Sequence, residues 1–559
     1  MTFTNDASNP PSPHRPKPKP LVADLDLEAT ITREEAAISR YGGDDVEEPP
    51  PKSPVTKGPA LFAQAPKDPN MVDWDGPDDP ANPQNWSRGY KWFVTTICIV
   101  LSVNVTFASS APASATARII AEFHISREVS YLITTVFLLG YCFGPLIWGP
   151  GSELVGRRGI FIGAMFMYTI FILGQALAQN IETLLVTRFI SGFFACAPLT
   201  NSGGVIADIW DANTRGLAAS LFTFSVFLGP VLGPIVSGFI AHSDATWRWV
   251  FWVMMMFAGV CTTSAFFLPE TYAPVLLARK AKALRKADPE KHKEIFAEHE
   301  RQDWSAKGIV KRTILRPFSM LSMEPILVLV TIYLSLVYGL LYALFQAIPI
   351  IFVVIRGFTI AEDGLIFIGV GIGTTIGSLI NAWTSRHYPE LIKKWKGFPP
   401  PEERLIGGMI GAPILVIGCF WMGWTGNYQS VHWAAPAVAT VFVGCGISLI
   451  FLAFITYLVD TYLMYSASAL AANTVVRSAV AAAFPLFTTQ MFLNLGVNWA
   501  CTLIGLLMLL FVPAPFLFYK YGHIIRGKSK FAPCIDLMIK KQMDEAAGQS
   551  GEKEKGVQA

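Results

Sequence analysis

Charged residues are scarce in this chain. Only 15% of its 559 residues are Asp, Glu, Lys or Arg, whereas 52% are hydrophobic, and the mean hydropathy is +0.42. A chain of this size with so little polar surface cannot cover a water-soluble core. The composition therefore excludes a soluble protein and predicts one that crosses a membrane many times.

Clustered metal ligands and nucleotide-binding motifs are missing as well. The eight cysteines show no short paired spacing, so neither a disulfide nor a zinc site is expected. The eight histidines lie outside the apolar runs, which argues against the multi-histidine site of a membrane oxygenase, and no Walker lysine motif is present. The net charge is only +3, without a basic patch, so nucleic acid is not an expected partner. We expect no metal and no cofactor, which leaves secondary transport.

The distribution of apolar runs divides the chain into five segments. Residues 1–86 form a proline-rich polar tail that is predicted to be disordered and cytosolic, without the apolar core of a signal peptide. Runs of about 20 residues, long enough to span a membrane, then group as six in 87–268 and six in 324–520. A charged linker, 269–323, separates the groups, and a polar tail, 521–559, follows. The pattern predicts an all-α membrane protein with twelve transmembrane helices in two six-helix halves.

Lysine and arginine are unevenly distributed between the two sides of the predicted bundle. If the N-terminus is cytosolic, the inner loops hold more basic residues than the outer loops, even without the linker. This positive-inside pattern predicts that both termini are cytosolic. The inner set is Arg157, Arg158, Arg215, Arg386, Lys393, Lys394, Lys396 and Arg404, and the outer set is Arg118, Arg127, Arg248 and Arg356.

A short charged turn separates the second and third apolar runs. Residues 149–158 read Gly-Pro-Gly-Ser-Glu-Leu-Val-Gly-Arg-Arg, and their charges are too costly to leave in hydrocarbon. The order of a glycine, an acid four residues later and then Gly-Arg-Arg resembles the signature between the second and third spans of the major facilitator superfamily. Leu154 stands where many members have another arginine. The matching residues are Gly149, Glu153, Gly156, Arg157 and Arg158.

The resemblance implies a charge cluster at the cytosolic surface. Asp208 and Arg215 lie at the inner end of the fourth span, and Asp460 lies in the turn between the tenth and eleventh spans. The superfamily fold would bring these charges close to the turn at residues 149–158. We expect Glu153, Arg157, Asp208 and Asp460 to form one cluster that stabilises the outward-open state.

Two motifs in the first half resemble those of antiporters. Arg188 opens Arg-Phe-Ile-Ser-Gly in the fourth span, where the resemblance links the arginine to proton coupling. A guanidinium in a membrane helix costs about 2.5–3.5 kcal/mol, so it is expected to face a cavity unless it snorkels to the surface. The fifth span resembles the antiporter motif, although a close-packing face of small residues is the alternative. Its matching positions are Gly216, Gly229, Pro230 and Gly233, with Ser225 and Pro234 as departures.

Candidate substrate contacts are concentrated in the second half. Aromatic residues of the seventh span share one helical face, which resembles the cavity lining of fungal exporters, although such a face more often serves packing. The eleventh span holds an asparagine and an arginine in a stretch similar to the fungal pattern. The candidate proton-coupling and substrate residues, besides Arg188, are Asn104, Tyr338, Tyr342, Gln346, Asn473 and Arg477.

The segment before the first span sharpens the resemblance. Residues 79–86 read Asp-Pro-Ala-Asn-Pro-Gln-Asn-Trp, similar to fungal drug:proton antiporters of the twelve-span type. The resemblance implies a monomeric exporter of the fungal plasma membrane that exchanges protons for a small organic compound by alternating access. Implied substrates are xenobiotics, polyamines and secondary metabolites, including organic acids such as itaconate, or glycolipids. The alternatives are a facilitative organic-anion or polyamine transporter, a non-transporting membrane sensor and an intramembrane enzyme.

The predicted spans contain arginine without acid. Arg188 and Arg477 lie well inside spans, and no Asp or Glu lies near any midpoint. A transported carboxylate would satisfy a guanidinium, whereas the alternative is that both arginines bond to backbone carbonyls or to polar neighbours such as Asn473. We therefore expect an acid-bearing substrate rather than a polyamine. Proton coupling would then use peripheral acids or be absent.

Overall fold

The computed structural model describes residues 70–211, 214–290, 292–301, 305–395 and 397–540. The predicted disordered tail therefore lies largely outside the described residues. In the described part the regular structure is helical, and Met71 and Phe296 form one isolated bridge. The expectation of an all-α membrane protein is confirmed.

The first half contains six long helices, several of which begin at a polar cap. The side chain of Asn180 accepts a hydrogen bond from the Thr183 N–H (2.8 Å), and Ser126 accepts one from Val129 (3.3 Å). These caps satisfy N–H groups that have no partner within the helix. The helices are α1 Arg88–Ser110, α2 Arg127–Val155, α3 Arg157–Ala176, α4 Ile181–Ile209, α5 Arg215–His242 and α6 Arg248–Ala265.

The second half follows the same pattern. A capping box of Thr359 and Glu362 starts its second helix. Gly496, with φ 76° and ψ 160°, interrupts its longest helix. The helices are α7 Pro325–Pro349, α8 Ile360–Thr384, α9 Ile406–Gly426, α10 Ala434–Tyr462, α11 Ser466–Phe511 and α12 Pro513–Arg526.

Ten segments of the described chain are long and apolar enough to span a membrane. One of them, Ser466–Arg526, has 61 residues and contains the break at Gly496, so it is long enough to cross twice. Arg248–Ala265 is an 18-residue helix outside this set. Counting α6 and a second crossing in Ser466–Arg526 would give twelve, a number that stays a prediction.

The turn before α1 is held by its own side chains. The Asp79 carboxylate accepts hydrogen bonds from the backbone N–H groups of Asp75 (3.0 Å) and Ala81 (2.8 Å). These bonds hold the pKa of Asp79 below its ordinary value. Asn82 Oδ1 then accepts from the Gln84 N–H at 3.1 Å. The motif at residues 79–86 is therefore a structural turn that fixes where α1 begins.

The linker of residues 269–323 packs on the segment that precedes this turn. It contains the helix Ala273–Ala287, whose Lys280 bonds to the Asp75 carboxylate at 2.6 Å. Further along, the Phe296 carbonyl accepts the Val72 N–H at 2.9 Å. The linker thus lies at one end of the bundle, beside the start of α1. We call this end the linker face and the other end the opposite face.

The two halves touch at mid-depth and towards the opposite face. Among the described residues, the hydrogen bonds that join them are Tyr342 Oη to Ser109 Oγ at 2.9 Å, Thr135 Oγ1 to the Ala482 carbonyl at 2.8 Å, and Gln490 Nε2 to Glu128 Oε1 at 3.4 Å. Among the described residues, none of the ion pairs at the linker face joins the two halves.

The glycines of α5 allow two close approaches. A Cβ on Gly229 would lie 1.9 Å from Thr106 Oγ1, and one on Gly233 would lie 2.0 Å from Ser110 Oγ, so α5 packs directly on α1. Another face of α5 meets α8 of the second half, where a Cβ on Gly364 would lie 2.6 Å from the Pro234 carbonyl oxygen. The small residues of this span therefore form packing faces at the junction of the halves.

Replacing Gly233 tests the packing of α5 on α1. We expect Gly233→Ala to destabilise the folded protein by about 1–3 kcal/mol, because the added methyl group forces Ser110 or the helix backbone to move. The measurement is the apparent melting temperature in detergent, taken from the loss of the monodisperse size-exclusion peak on heating.

Gly259→Ala is the matched control. No atom lies within 4 Å of a Cβ at this α6 position, so its melting temperature should equal that of the wild type. Equal stability of Gly233→Ala and Gly259→Ala would contradict the close packing.

Candidate functional site

Arg157 joins three helices of the first half at the linker face. It is the first residue of α3, and its Nε lies 3.2 Å from Oδ2 of Asp208, near the end of α4. Its Nη1 donates to Ser152 Oγ of α2 at 2.6 Å, and its guanidinium lies 4.9 Å from the centroid of the Tyr272 ring. These contacts satisfy a largely buried cation on several sides.

Glu270 completes this arrangement from the end of the sixth span. Its Oε1 accepts hydrogen bonds from the backbone N–H groups of Arg157 (2.8 Å), Thr271 (3.1 Å) and Tyr272 (3.2 Å). Gly156 adopts φ 105°, and a Cβ there would lie 2.1 Å from Glu270 Oε2. Only glycine leaves room for the carboxylate at this turn. We call Arg157, Asp208 and Glu270 the first lock.

A second lock has the same form in the second half. Arg404, just before α9, places its Nε 2.8 Å from Oδ2 of Asp460, near the end of α10. Tyr388 donates its hydroxyl to the same carboxylate, and the Arg404 guanidinium lies 3.3 Å from the Tyr388 ring centroid. The expectation of one cluster with Asp460 is therefore corrected: Asp460 is bound to Arg404 of its own half and is not bonded to Arg157.

The other predicted cluster residues lie around the first lock. Glu153 lies near the end of α2, four residues before Arg157. Arg158 donates from Nη2 to the Phe266 carbonyl at 3.2 Å, and a Cβ on Gly149 would only touch Thr200, at 4.0 Å. Arg215 and Gly216 belong to α5, but their surroundings are not among those that the structure describes.

Arg188 is enclosed within the first half. Its side chain is 0% exposed, with Nε donating to the Ile133 carbonyl of α2 and Nη1 to the Ala108 carbonyl of α1, both at 3.0 Å. The guanidinium also lies 4.2 Å from the Phe137 ring centroid, and Nη2 has no hydrogen-bond partner. The expectation that Arg188 faces a cavity is corrected, because carbonyl oxygens of two neighbouring helices bind its N–H groups.

Asn104 is buried in the first half, and Gln346 is half-buried in the second. Asn104 is 0% exposed on α1, and neither polar atom of its side chain has a described partner. Gln346 of α7 donates from Nε2 to the Pro485 carbonyl at 3.1 Å and accepts from Thr489 Oγ1 at 3.2 Å. The Gln346 amide therefore ties α7 to α11.

The aromatic face of α7 lies where the halves meet. The Tyr338 and Tyr342 hydroxyl oxygens are 3.4 Å apart, and Tyr342 donates to Ser109 of α1. Phe345 continues the row, with its ring centroid 5.5 Å from that of Tyr342. All three side chains are at most 7% exposed, so the face is packed in this conformation.

Arg477 lies beside this row on α11. Its guanidinium carbon is 4.9 Å from the Tyr338 ring centroid and 5.2 Å from that of Phe451. Its buried Nε has no hydrogen-bond partner. Asn473, one turn earlier, donates from Nδ2 to Thr331 Oγ1 at 3.2 Å, and its Oδ1, which could accept from the arginine, has no hydrogen-bond partner.

Sequence analysis missed Glu270 and Asp363. The Leu-Pro-Glu-Thr ending of the sixth span carries no periodic signal, so the hydrogen bonds of Glu270 could only be seen in the folded chain. Asp363 stands one residue before the apolar run of the eighth span, yet it is only 5% exposed, and its Oδ1 has no partner. Within the described residues, no three His, Cys, Asp or Glu side chains come together as metal ligands.

Comparison with known proteins gives one consistent family. The family model of the Major Facilitator Superfamily matches residues 94–485. An ascochitine biosynthesis cluster MFS transporter of Didymella fabae is 43% identical over 472 residues, 83% of this chain and 90% of that protein. An MFS-type efflux pump of Trichophyton rubrum is 43% identical over 480 residues, 85% of this chain and 80% of that protein.

Solved structures agree on the fold. The proton:xylose symporter XylE aligns with a TM-score of 0.56 at 17% identity, over 78% of this chain and 96% of that chain. The human organic anion transporter MFSD10 aligns with a TM-score of 0.53 at 15% identity, over 77% of this chain and 99% of that chain. At such low identity these structures support the fold alone.

Removing the Glu270 carboxylate tests the first lock. We expect Glu270→Ala to lower stability by about 1–3 kcal/mol, because three backbone N–H groups lose their acceptor. Thermal unfolding in detergent is the measurement.

Arg279→Ala provides the matched comparison. Arg279 lies 3.5 Å from the same carboxylate but is 58% exposed, so its loss should cost less than about 1 kcal/mol. A larger effect for Arg279→Ala than for Glu270→Ala would show that the ion pair, and not the backbone hydrogen bonds, holds Glu270.

Proposed function

The chain belongs to the major facilitator superfamily, and from that membership we propose that it exports a small organic compound by alternating access, coupled to proton entry. It is a membrane transporter with many spans. The observation that supports export is the resemblance of α5 to the antiporter motif, whose Gly229 and Gly233 pack directly on α1. The relatives named as an efflux pump and as a transporter of a biosynthesis cluster support a xenobiotic or a fungal secondary metabolite as substrate.

Alternating access requires two bodies that move against each other. We take residues 87–268 and 324–520 as these bodies, since each has its own charge lock at the linker face. The hydrogen bonds between the halves lie at mid-depth and towards the opposite face. With the termini in the cytosol, as the basic loops favour, the closed gate here is the outer one. We propose the plasma membrane as the location and a monomer as the working unit.

Proton coupling is proposed to use acids at the ends of spans. No Asp or Glu lies near a span midpoint in the sequence, and Arg188 is occupied by two carbonyl groups. Asp363 is the candidate at the opposite face, because separation of α5 from α8 would bring its buried carboxylate into water. The first lock supplies the acids at the linker face.

Facilitated transport without protons is the second candidate. The absence of a midspan acid favours it, because a proton then has no obvious carrier through the membrane centre. The two candidates differ in whether a pH gradient drives accumulation of substrate.

Transport into inside-out vesicles tests the proposed coupling. We expect uptake of a substrate dye to rise when the vesicle interior is acidic and to collapse when an ionophore removes the gradient. Uptake that follows only the substrate gradient would contradict antiport and support the facilitative alternative.

Arg188 variants test its role in the first half. We expect Arg188→Ala to reduce turnover by about tenfold, which corresponds to about 1.4 kcal/mol, because α1 and α2 lose their common link to α4. Arg188→Lys should restore little, since lysine lacks the planar fork that reaches both carbonyls.

Arg127→Ala, at an exposed arginine of α2, should transport normally at equal surface expression. Full activity of Arg188→Ala would refute the role of Arg188.

A further inference from the structure

The two arginines inside the spans differ in how their N–H groups are used. Arg188 is fully buried, and two of its nitrogens donate to backbone carbonyls of α1 and α2. Arg477 is partly exposed, and its Nε has no partner. Among the described residues, no carboxylate forms an ion pair with either arginine.

The surroundings of Arg477 stabilise its charge but leave its N–H groups open. The rings of Tyr338 and Phe451 lie about equally far from its guanidinium carbon, at 4.9 and 5.2 Å. An aromatic face attracts a cation, but it does not replace an in-plane hydrogen-bond acceptor. The Nε–H group is buried without an acceptor, which costs free energy as long as it stays unpaired.

Arg477 lies close to the junction of the two halves. It belongs to α11 of the second half, and the ring of Phe451, which it faces, lies 5.4 Å from the ring of Phe227 on α5 of the first half. The adjoining Tyr338 and Tyr342 lead to Ser109 of α1 through hydroxyl contacts of 3.4 and 2.9 Å. The guanidinium is thus placed at mid-depth, beside the contact that joins the halves.

We propose that Arg477 is an anion subsite of the transport pathway, which binds the carboxylate of an acid-bearing substrate. This inference rests on the proposed export function and adds the chemical class of the substrate. The planar fork matches the two oxygens of a carboxylate, which would accept two parallel N–H bonds. Arg188 is not this subsite, because carbonyl oxygens already occupy its Nε and Nη1.

If Arg477 binds carboxylates, the protein should distinguish an acid from its amide, which has nearly the same shape but no charge. The test loads cells, or inside-out vesicles, with benzoate and itaconate, each paired with its amide, and with spermidine and a neutral efflux dye. We expect export of at least one acid and at least tenfold slower export of its amide. Arg477→Gln should slow acid export by about tenfold or more and dye export by a clearly smaller factor, whereas Arg477→Lys should retain part of the acid export.

A binding measurement covers the case in which Arg477→Gln does not fold. The acid, but not its amide, should raise the melting temperature of the wild-type protein, and Arg477→Lys should reduce that shift. Arg127→Gln is the control for the same substitution at an exposed arginine.

The outcomes separate this inference from the proposed function. Export of the dye or spermidine without any acid would overturn the anion subsite and leave export standing. Equal export of acids and amides would overturn it too. The carboxylate of the substrate would then not be needed at Arg477, whose charge could be balanced by an inorganic anion. If the wild type moves none of the compounds, the export function fails and the subsite fails with it.

Discussion

The cost of taking charge out of water is the constraint on which this structure depends. Most of the buried charged side chains of the described residues lie at or near helix ends. Arg526, for example, is only 1% exposed, but it lies between Glu402 and Asp536 with contacts of 2.8–2.9 Å. Within the spans the exceptions are Arg188 and Arg477. Backbone carbonyls bind the first, whereas aromatic rings face the second.

The locks at the linker face are built twice, once in each half. In each half an arginine at the start of the third helix meets an aspartate near the end of the fourth, and α4 and α10 are both 29 residues long. Because each lock is internal to its half, a rigid-body movement of the halves need not break it. The balance between conformations then depends on the contacts between halves, such as Tyr342 to Ser109.

The sequence was sufficient for the fold, because the apolar runs and the turn at residues 149–158 carry strong local signals. The two helices that flank this turn lie as expected, and Arg157 forms an ion pair with Asp208. The partner of Asp460 was missed, although a comparison of the halves points to Arg404 at the start of the ninth span. The direction in which a side chain points was harder to predict. Arg188 meets two carbonyl groups because of the rotation of α4 about its axis, which is set by packing and not by the sequence of α4 alone.

The proposed anion subsite would give the substrate a direct means of acting on conformation. A ligand shifts a two-state equilibrium only as far as it binds the two states differently. A carboxylate on Arg477 would lie beside Tyr338, whose hydroxyl contacts Tyr342, and Tyr342 supplies the hydrogen bond to α1. Substrate binding and the junction of the halves therefore share the same few side chains. Arg188, bonded within the first half, would instead keep α1, α2 and α4 together while the junction opens and closes.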